Sequence, residues 1–136
     1  MKLTPGQKIW FYNTGWILWI SGGAWWIFHR PGLSIPWLLA IHGAAAMIFL
    51  VVFGVLIPTH IKKGRAAGKN LASGHTLIAV TVGLAVTGYG LYYSGNETLR
   101  AWTSAAHSIL GLGSPLLIAW HLFFRRKRRR FRRPGL

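Results

Sequence analysis

The sequence predicts an all-α integral membrane protein, an up-down-up-down four-helix bundle with both termini in the cytoplasm. Three observations predict it. Four uncharged stretches are each long enough to cross a bilayer, the cations collect at their ends, and the connections between them are short. Only 12% of the 136 residues are charged, against about a quarter in a soluble domain. The length fits one domain.

About 20 apolar residues cross the hydrocarbon core. The first stretch, Ile9–Phe28, meets that length and carries no Asp, Glu, Lys or Arg. It is not expected to be a signal peptide, because it is long, rich in Trp and lacks a small-residue cleavage site at its end. The second, Ile35–Ile57, the third, Leu71–Tyr93, and the fourth, Ala101–Phe124, are equally free of charge. Backbone polar groups in lipid must be satisfied within the segment, so all four are expected to be helices. The connections at about 29–34, 58–70 and 94–100 are short, so sequential helices are expected to be antiparallel neighbours. The third and fourth stretches are rich in Gly, Ala, Ser and Thr. Small residues let helices approach closely and also leave room for a flat cofactor. Residues 1–124 form the membrane domain in this reading, and 125–136 a basic cytoplasmic tail.

Orientation follows from the cations. Lys2, Lys8, Lys62, Lys63, Arg65, Lys69 and the eight basic residues of 125–133 fall on one side, and only Arg30 and Arg100 on the other. The positive-inside rule assigns the first side to the cytoplasm. Trp25, Trp26, Trp37 and Trp102 then sit near the outer interface and Trp10 and Trp120 near the inner one, as aromatic belts require. The tail RRKRRRFRR directly follows a predicted span, where a basic cluster reads as a contact with anionic lipid headgroups. Nucleic acid is not an expected partner.

Composition also removes reaction classes. Glu97 is the only acid, so no carboxylate pair is available for acid–base work or for two metal ions. The chain has no Cys, which excludes thiolate zinc, iron–sulfur clusters, covalently attached haem and disulfides. Six histidines are left as nearly the only titratable groups at membrane depth. Ionisable residues there are costly and imply function.

Placement separates the histidines. His107 and His121 lie 14 residues apart on the fourth stretch, on one helical face and roughly 21 Å apart along the axis. His42 lies near the outer end of the second stretch, at a depth similar to His107. His60 follows 18 residues later, which is five turns, or roughly 27 Å, in a regular helix. Diagonal helices that each carry an inward imidazole near both ends can clamp two flat macrocycles, with one imidazole from each helix on each iron. Such ligation leaves no open position and suits electron transfer. His29, in the HRPG turn, reads as a solvent-facing loop residue.

The chain resembles the bacterial four-helix di-haem b-type cytochromes, which are related to hydrogenase and formate-dehydrogenase cytochrome b subunits and to the superoxide-oxidase group. The resemblance rests on the four-span layout and on HSILGLGSPLLIAWH in the fourth stretch. It extends to HGAAAMIFLVVFGVLIPTH in the second, TGYGLYY ending the third and SGNETLRAWTSAAH leading into the fourth. It implies two haem b groups, a bacterial inner-membrane location and electron exchange with quinone or a redox partner protein. It implies His42 and His107 as axial ligands of the outer haem. For the inner haem it implies His121, with a partner on the first helix. This chain departs there, since the first stretch has no His and only Asn13 near that depth. His60 is the preferred second ligand because it shares helix and face with His42. His75 is the alternative, because its depth matches His121 better. Arg30 and Arg100 outside, and Lys62 and Arg125 inside, are candidate partners for the haem propionates through charge-assisted bonds. A homodimer or a partner subunit is compatible with all of this.

Two other functions compete. One is a non-haem metal binder or transporter built on histidine, which lacks Cys and acidic co-ligands here. The other is a cofactor-free anchor subunit of a redox complex, which leaves the matched histidines unexplained. The predicted orientation can be tested in this cysteine-free chain with Gly95→Cys and Gly64→Cys. Membrane-impermeant maleimide added to intact cells is expected to label the first and to reach the second only after permeabilisation. The opposite pattern would overturn the topology.

Overall fold

The computed structural model describes the backbone of residues 3–28, 35–68 and 70–130, with side chains up to residue 123. The described residues are helical almost throughout. The elements are α1 (Pro5–Phe28), α2 (Pro36–Leu56), a π-helical turn (Ile57–Ile61), α3 (Lys62–Ala66), α4 (Leu71–Tyr93) and α5 (Glu97–Arg130).

The helix ends follow from local chemistry. Thr4 and Gln7 cap α1 reciprocally. The Gln7 amide donates to Thr4 Oγ1 at 3.2 Å and the Thr4 amide to Gln7 Oε1 at 3.1 Å, with Pro5 at the first helical position. Pro36 opens α2 in the same way. The break before α4 uses two left-handed residues, Gly68 at φ 60° and Asn70 at φ 52°, the two residue types that enter this region at least cost. Asn96 caps α5 by accepting the Leu99 amide at 2.9 Å. The sole acid, Glu97, stands in the first turn of α5, where a negative charge complements the helix dipole.

Two prolines interrupt helices, with different results. Pro58 has no N–H for the Gly54 carbonyl, which instead accepts from Ile57. The chain widens into the π turn, and Lys62 donates back to Ile57. Pro115 leaves the Gly111 carbonyl without its usual donor, and the Ser114 hydroxyl takes it at 2.8 Å. That bond lets α5 continue as a single helix through the proline.

The chain divides into two compact units, Met1–Ala67 and Gly68–Leu136. In the first, α1 and α2 form an antiparallel hairpin. Phe11 and Phe49 stand 5.2 Å apart between ring centroids, and Gln7 Nε2 approaches Thr59 Oγ1 at 3.5 Å. In the second, α4 and α5 pair antiparallel through small residues. A Cβ added at Gly83 would lie 3.2 Å from Leu110, one at Gly90 3.3 Å from Thr103 and one at Gly111 3.8 Å from Leu84. Close packing is therefore what the small residues do at these three positions.

The distribution of polarity is inverted relative to a water-soluble domain. The buried described residues are Leu38, Ala45 and Leu56 together with three hydroxyl residues, Thr14, Ser21 and Ser73. Large apolar side chains such as Trp26, Val51, Met47, Ile109 and Leu116 are exposed along the helices. Patches of that extent are stable only against lipid or another apolar surface.

Among the described residues, three helical segments are long and apolar enough to cross a membrane: Pro36–Ala66, Leu71–Tyr93 and Glu97–Phe123. The sequence predicts four. α1 has the length, at 24 residues, but its Trp, Tyr, Asn and Gly residues dilute its hydropathy. The boundaries move as well. α5 runs six residues past the predicted span and carries the start of the basic tail as helix.

The Ser114–Gly111 bond predicts an asymmetry between two variants. Ser114→Ala is expected to lower stability in detergent by roughly 1–2 kcal/mol, because it orphans a carbonyl. In Ser114→Ala/Pro115→Ala the new amide at 115 serves that carbonyl and most of the loss is recovered, as thermal unfolding would show.

Candidate cofactor site

Hydroxyl groups on one helix of each hairpin face imidazoles on the other. Ser21 of α1 is buried, and its Oγ lies 2.9 Å from His42 Nδ1 on α2. Thr87 Oγ1 of α4 lies 2.9 Å from His107 Nδ1 on α5. Ser73 Oγ, buried near the start of α4, lies 2.9 Å from His121 Nδ1 on α5. The three histidines are half-buried within their own units.

A glycine follows each hydroxyl residue and lies against the ring it holds. A Cβ at Gly22 would stand 3.2 Å from His42 Cε1, one at Gly88 3.5 Å from His107 Cε1, and one at Gly74 4.0 Å from His121 Cε1. The hydroxyl orients each ring, and the missing Cβ lets it lie close to the neighbouring backbone.

The bonds of these hydroxyls indicate where the ring protons sit. Ser21 Oγ donates to the Ile17 carbonyl at 2.6 Å and Thr87 Oγ1 to the Gly83 carbonyl at 2.7 Å. A hydroxyl has one proton. With that proton committed to a carbonyl one turn back, the oxygen accepts from Nδ1–H. The neutral imidazole then carries its acceptor lone pair on Nε2, the atom that ligates a metal when Nδ1–H is held by an outer partner. The donor chemistry of His42 and His107 therefore fits an axial iron ligand. Ser73 Oγ donates to the Asn70 carbonyl at 3.4 Å; the carbonyl one turn back, at residue 69, lies outside the described residues.

Both α5 histidines meet α4, which places them on the common face that their 14-residue spacing predicts. The same spacing separates Ser73 from Thr87. α1 repeats it at half the interval. Thr14–Gly15 lies seven residues before Ser21–Gly22, and Phe49 lies seven after His42. A Cβ at Gly15 would stand 4.0 Å from Phe49. In this hairpin a benzene ring occupies the level next to the imidazole.

The remaining predicted positions are placed as follows. His60 is half-buried on the π turn. The regular five-turn count that sets it on the face of His42 is interrupted there by a wider turn. His75 is exposed on α4, two residues after Ser73. Lys62 and Arg100 are exposed at the starts of α3 and α5, and Asn13 is exposed on α1. Arg30 and His29 lie outside the described residues. Arg125 lies on the described backbone of α5, with its side chain outside the described set. Among the described residues, no group of three or more His, Cys, Asp or Glu side chains gathers around a position for one metal ion.

Small-residue content alone assigns Ser21, Ser73 and Thr87 no role beyond packing. The signal present in the sequence is the recurrence of Ser/Thr–Gly dipeptides at multiples of seven residues, within stretches that pair with His-bearing helices. Comparison with protein-family models, with curated proteins and with solved structures finds no match.

Two adjacent glycines separate ring contact from helix propensity. Gly23 has nothing within 4 Å of an added Cβ, so Gly23→Ala is expected to stabilise the helix by roughly 0.5–1 kcal/mol. Gly22→Ala gains the same propensity but presses on His42. It is expected to give no net stabilisation and to displace the His42 ring resonances in NMR spectra.

Proposed function

We propose that this chain is a membrane di-haem b-type cytochrome of the bacterial inner membrane. In this reading it carries electrons across the bilayer between the quinone pool and a redox partner. The observation that carries the reading is the repeated hydroxyl–imidazole pair. Imidazoles on helices apolar enough for lipid are held through Nδ1, which directs the Nε2 lone pair toward a ligand. Imidazole held in this way is the ordinary form of an axial haem ligand.

His42 and His107 are the axial pair of the outer haem. His121 and His60 are the pair of the inner haem, with His75 as the alternative to His60. α1 serves as the fourth span, both termini are cytoplasmic, and the helices form an up-down-up-down bundle. Arg30, Arg100, Lys62 and Arg125 pair with propionates. A low-spin haem b with two imidazoles supplies a one-electron couple and no open coordination position.

The protein's own groups hold the rings and exclude water. Ser21 and Thr87 keep their imidazoles neutral donors at Nδ1. The apolar helix surfaces provide the low-dielectric surroundings that, with ligand type and outer hydrogen bonds, tune a haem potential.

The test is a visible spectrum of detergent-purified protein before and after dithionite. A red-shifted Soret band with sharp α and β bands is expected, and pyridine haemochromogen assay is expected to find about two haems per chain. His42→Ala and His107→Ala should each lose one. His60→Ala should also lose one and His75→Ala none; the reverse would transfer the inner ligand to His75. A colourless protein with stoichiometric copper or zinc would favour the metal-binding function, and a colourless metal-free protein the anchor subunit.

A further inference from the structure

We infer that the dipeptides Ser21–Gly22 and Thr87–Gly88 are positioning elements of the His42 and His107 sites, fixing the Nδ1–H tautomer and thereby the affinity for iron. This inference rests on the haem reading for its ligand, while its structural content can be tested without haem.

Three features carry it. The same geometry arises independently in two hairpins, with Oγ–Nδ1 distances of 2.9 Å in both. The sequence separations of 21 and 20 residues differ by one, so the two hairpins repeat one arrangement with slightly different connections. In each case the hydroxyl proton is spent on the helix's own backbone, at 2.6 Å and 2.7 Å. The hydroxyl is then left as an acceptor toward the ring. A carboxylate in this place would bring a charge among the apolar helices, which is costly. A neutral hydroxyl fixes the same tautomer without one.

Thr14–Gly15 separates this role from packing. Thr14 is buried, and its hydroxyl donates to the Trp10 carbonyl at 2.6 Å. A glycine follows it, and the residue opposite is Phe49. It shares the helix, the backbone bond and the glycine with Ser21 but faces no imidazole. A merely structural hydroxyl would behave at all three positions as it does at Thr14.

The positioning role requires Nδ1–H; a packing role does not. The mechanism is that of an outer-shell partner, whose loss typically weakens metal affinity by about 10- to 100-fold. The hydroxyl of Ser73 faces His121 at the same distance. The carbonyl one turn before Ser73 lies outside the described residues, so the inference is confined to Ser21 and Thr87, whose backbone bonds are described.

The experiment uses the full chain with ¹⁵N-labelled histidine in detergent, both as purified and after haem extraction. In the haem-free protein, long-range nitrogen–proton couplings are expected to identify His42 and His107 as Nδ1–H tautomers. Thr87→Val and Ser21→Ala are each expected to shift the facing histidine to a mixture that includes Nε2–H. Each should weaken haem retention by about 10- to 100-fold. Thr87→Ser should restore both properties, and Thr14→Val should change neither. Nε2–H tautomers in the parent protein would overturn the inference. So would unchanged tautomers and haem affinity in Thr87→Val, or an effect of Thr14→Val equal to that of Thr87→Val. A parent protein that never binds haem would instead overturn the proposed function, and the tautomer measurement would still decide the role of the hydroxyls.

Discussion

A buried polar group among apolar helices must find its partner within the protein, and in this chain that requirement orients His42, His107 and His121. A buried hydroxyl within a helix satisfies its proton on its own backbone one turn back. Its oxygen still accepts. Ser21 and Thr87 both use that remaining capacity on an imidazole of the facing helix. Each bond therefore does two things: it satisfies a buried ring nitrogen and it sets the orientation of the ring. The adjacent glycines are part of the same solution, since a side chain at Gly22 would crowd His42.

The same constraint explains why the helices are arranged inside out. On helices apolar enough to cross a membrane there is no reason to bury Met47 or Leu116, and they remain exposed. Among the described residues, burial goes to Thr14, Ser21 and Ser73 and to Leu38, Ala45 and Leu56; close approach and hydrogen bonds at such contacts hold helices together where no hydrophobic force acts between them. Pro115 fits this economy. Its missing donor would be expensive in lipid, and Ser114 supplies a substitute from the neighbouring position. Pro58 has a less compact solution. The chain there adopts a π turn that extends the helix toward the basic residues 62–65.

The two hairpins are variants of one pattern. Both place a Ser/Thr–Gly pair about twenty residues before a histidine on the partner helix. They differ at the other end. The α4–α5 hairpin repeats the device at Ser73 and His121, whereas the α1–α2 hairpin places Leu56 and then the π turn with His60 in the corresponding region.

The class of the protein is legible in local patterns of the chain. Uncharged stretches separated by short basic connections specify helices for an apolar solvent, because period and charge are local properties of the chain. The sequence also determined that His107 and His121 share a face, since fourteen residues is close to a whole number of turns. The hydroxyl partners were decided only by tertiary structure. Ser21 and His42 are 21 residues apart on different helices, and whether they meet depends on how two cylinders are rotated against each other, which no local pattern encodes. The face of His60 also depended on structure, because the π turn at Pro58 changes the count that a regular helix would follow. Hydrophobic periodicity gives the solvent of a helix. The pairing of one oxygen with one nitrogen across a hairpin comes from the packing of small residues that brings their backbones together.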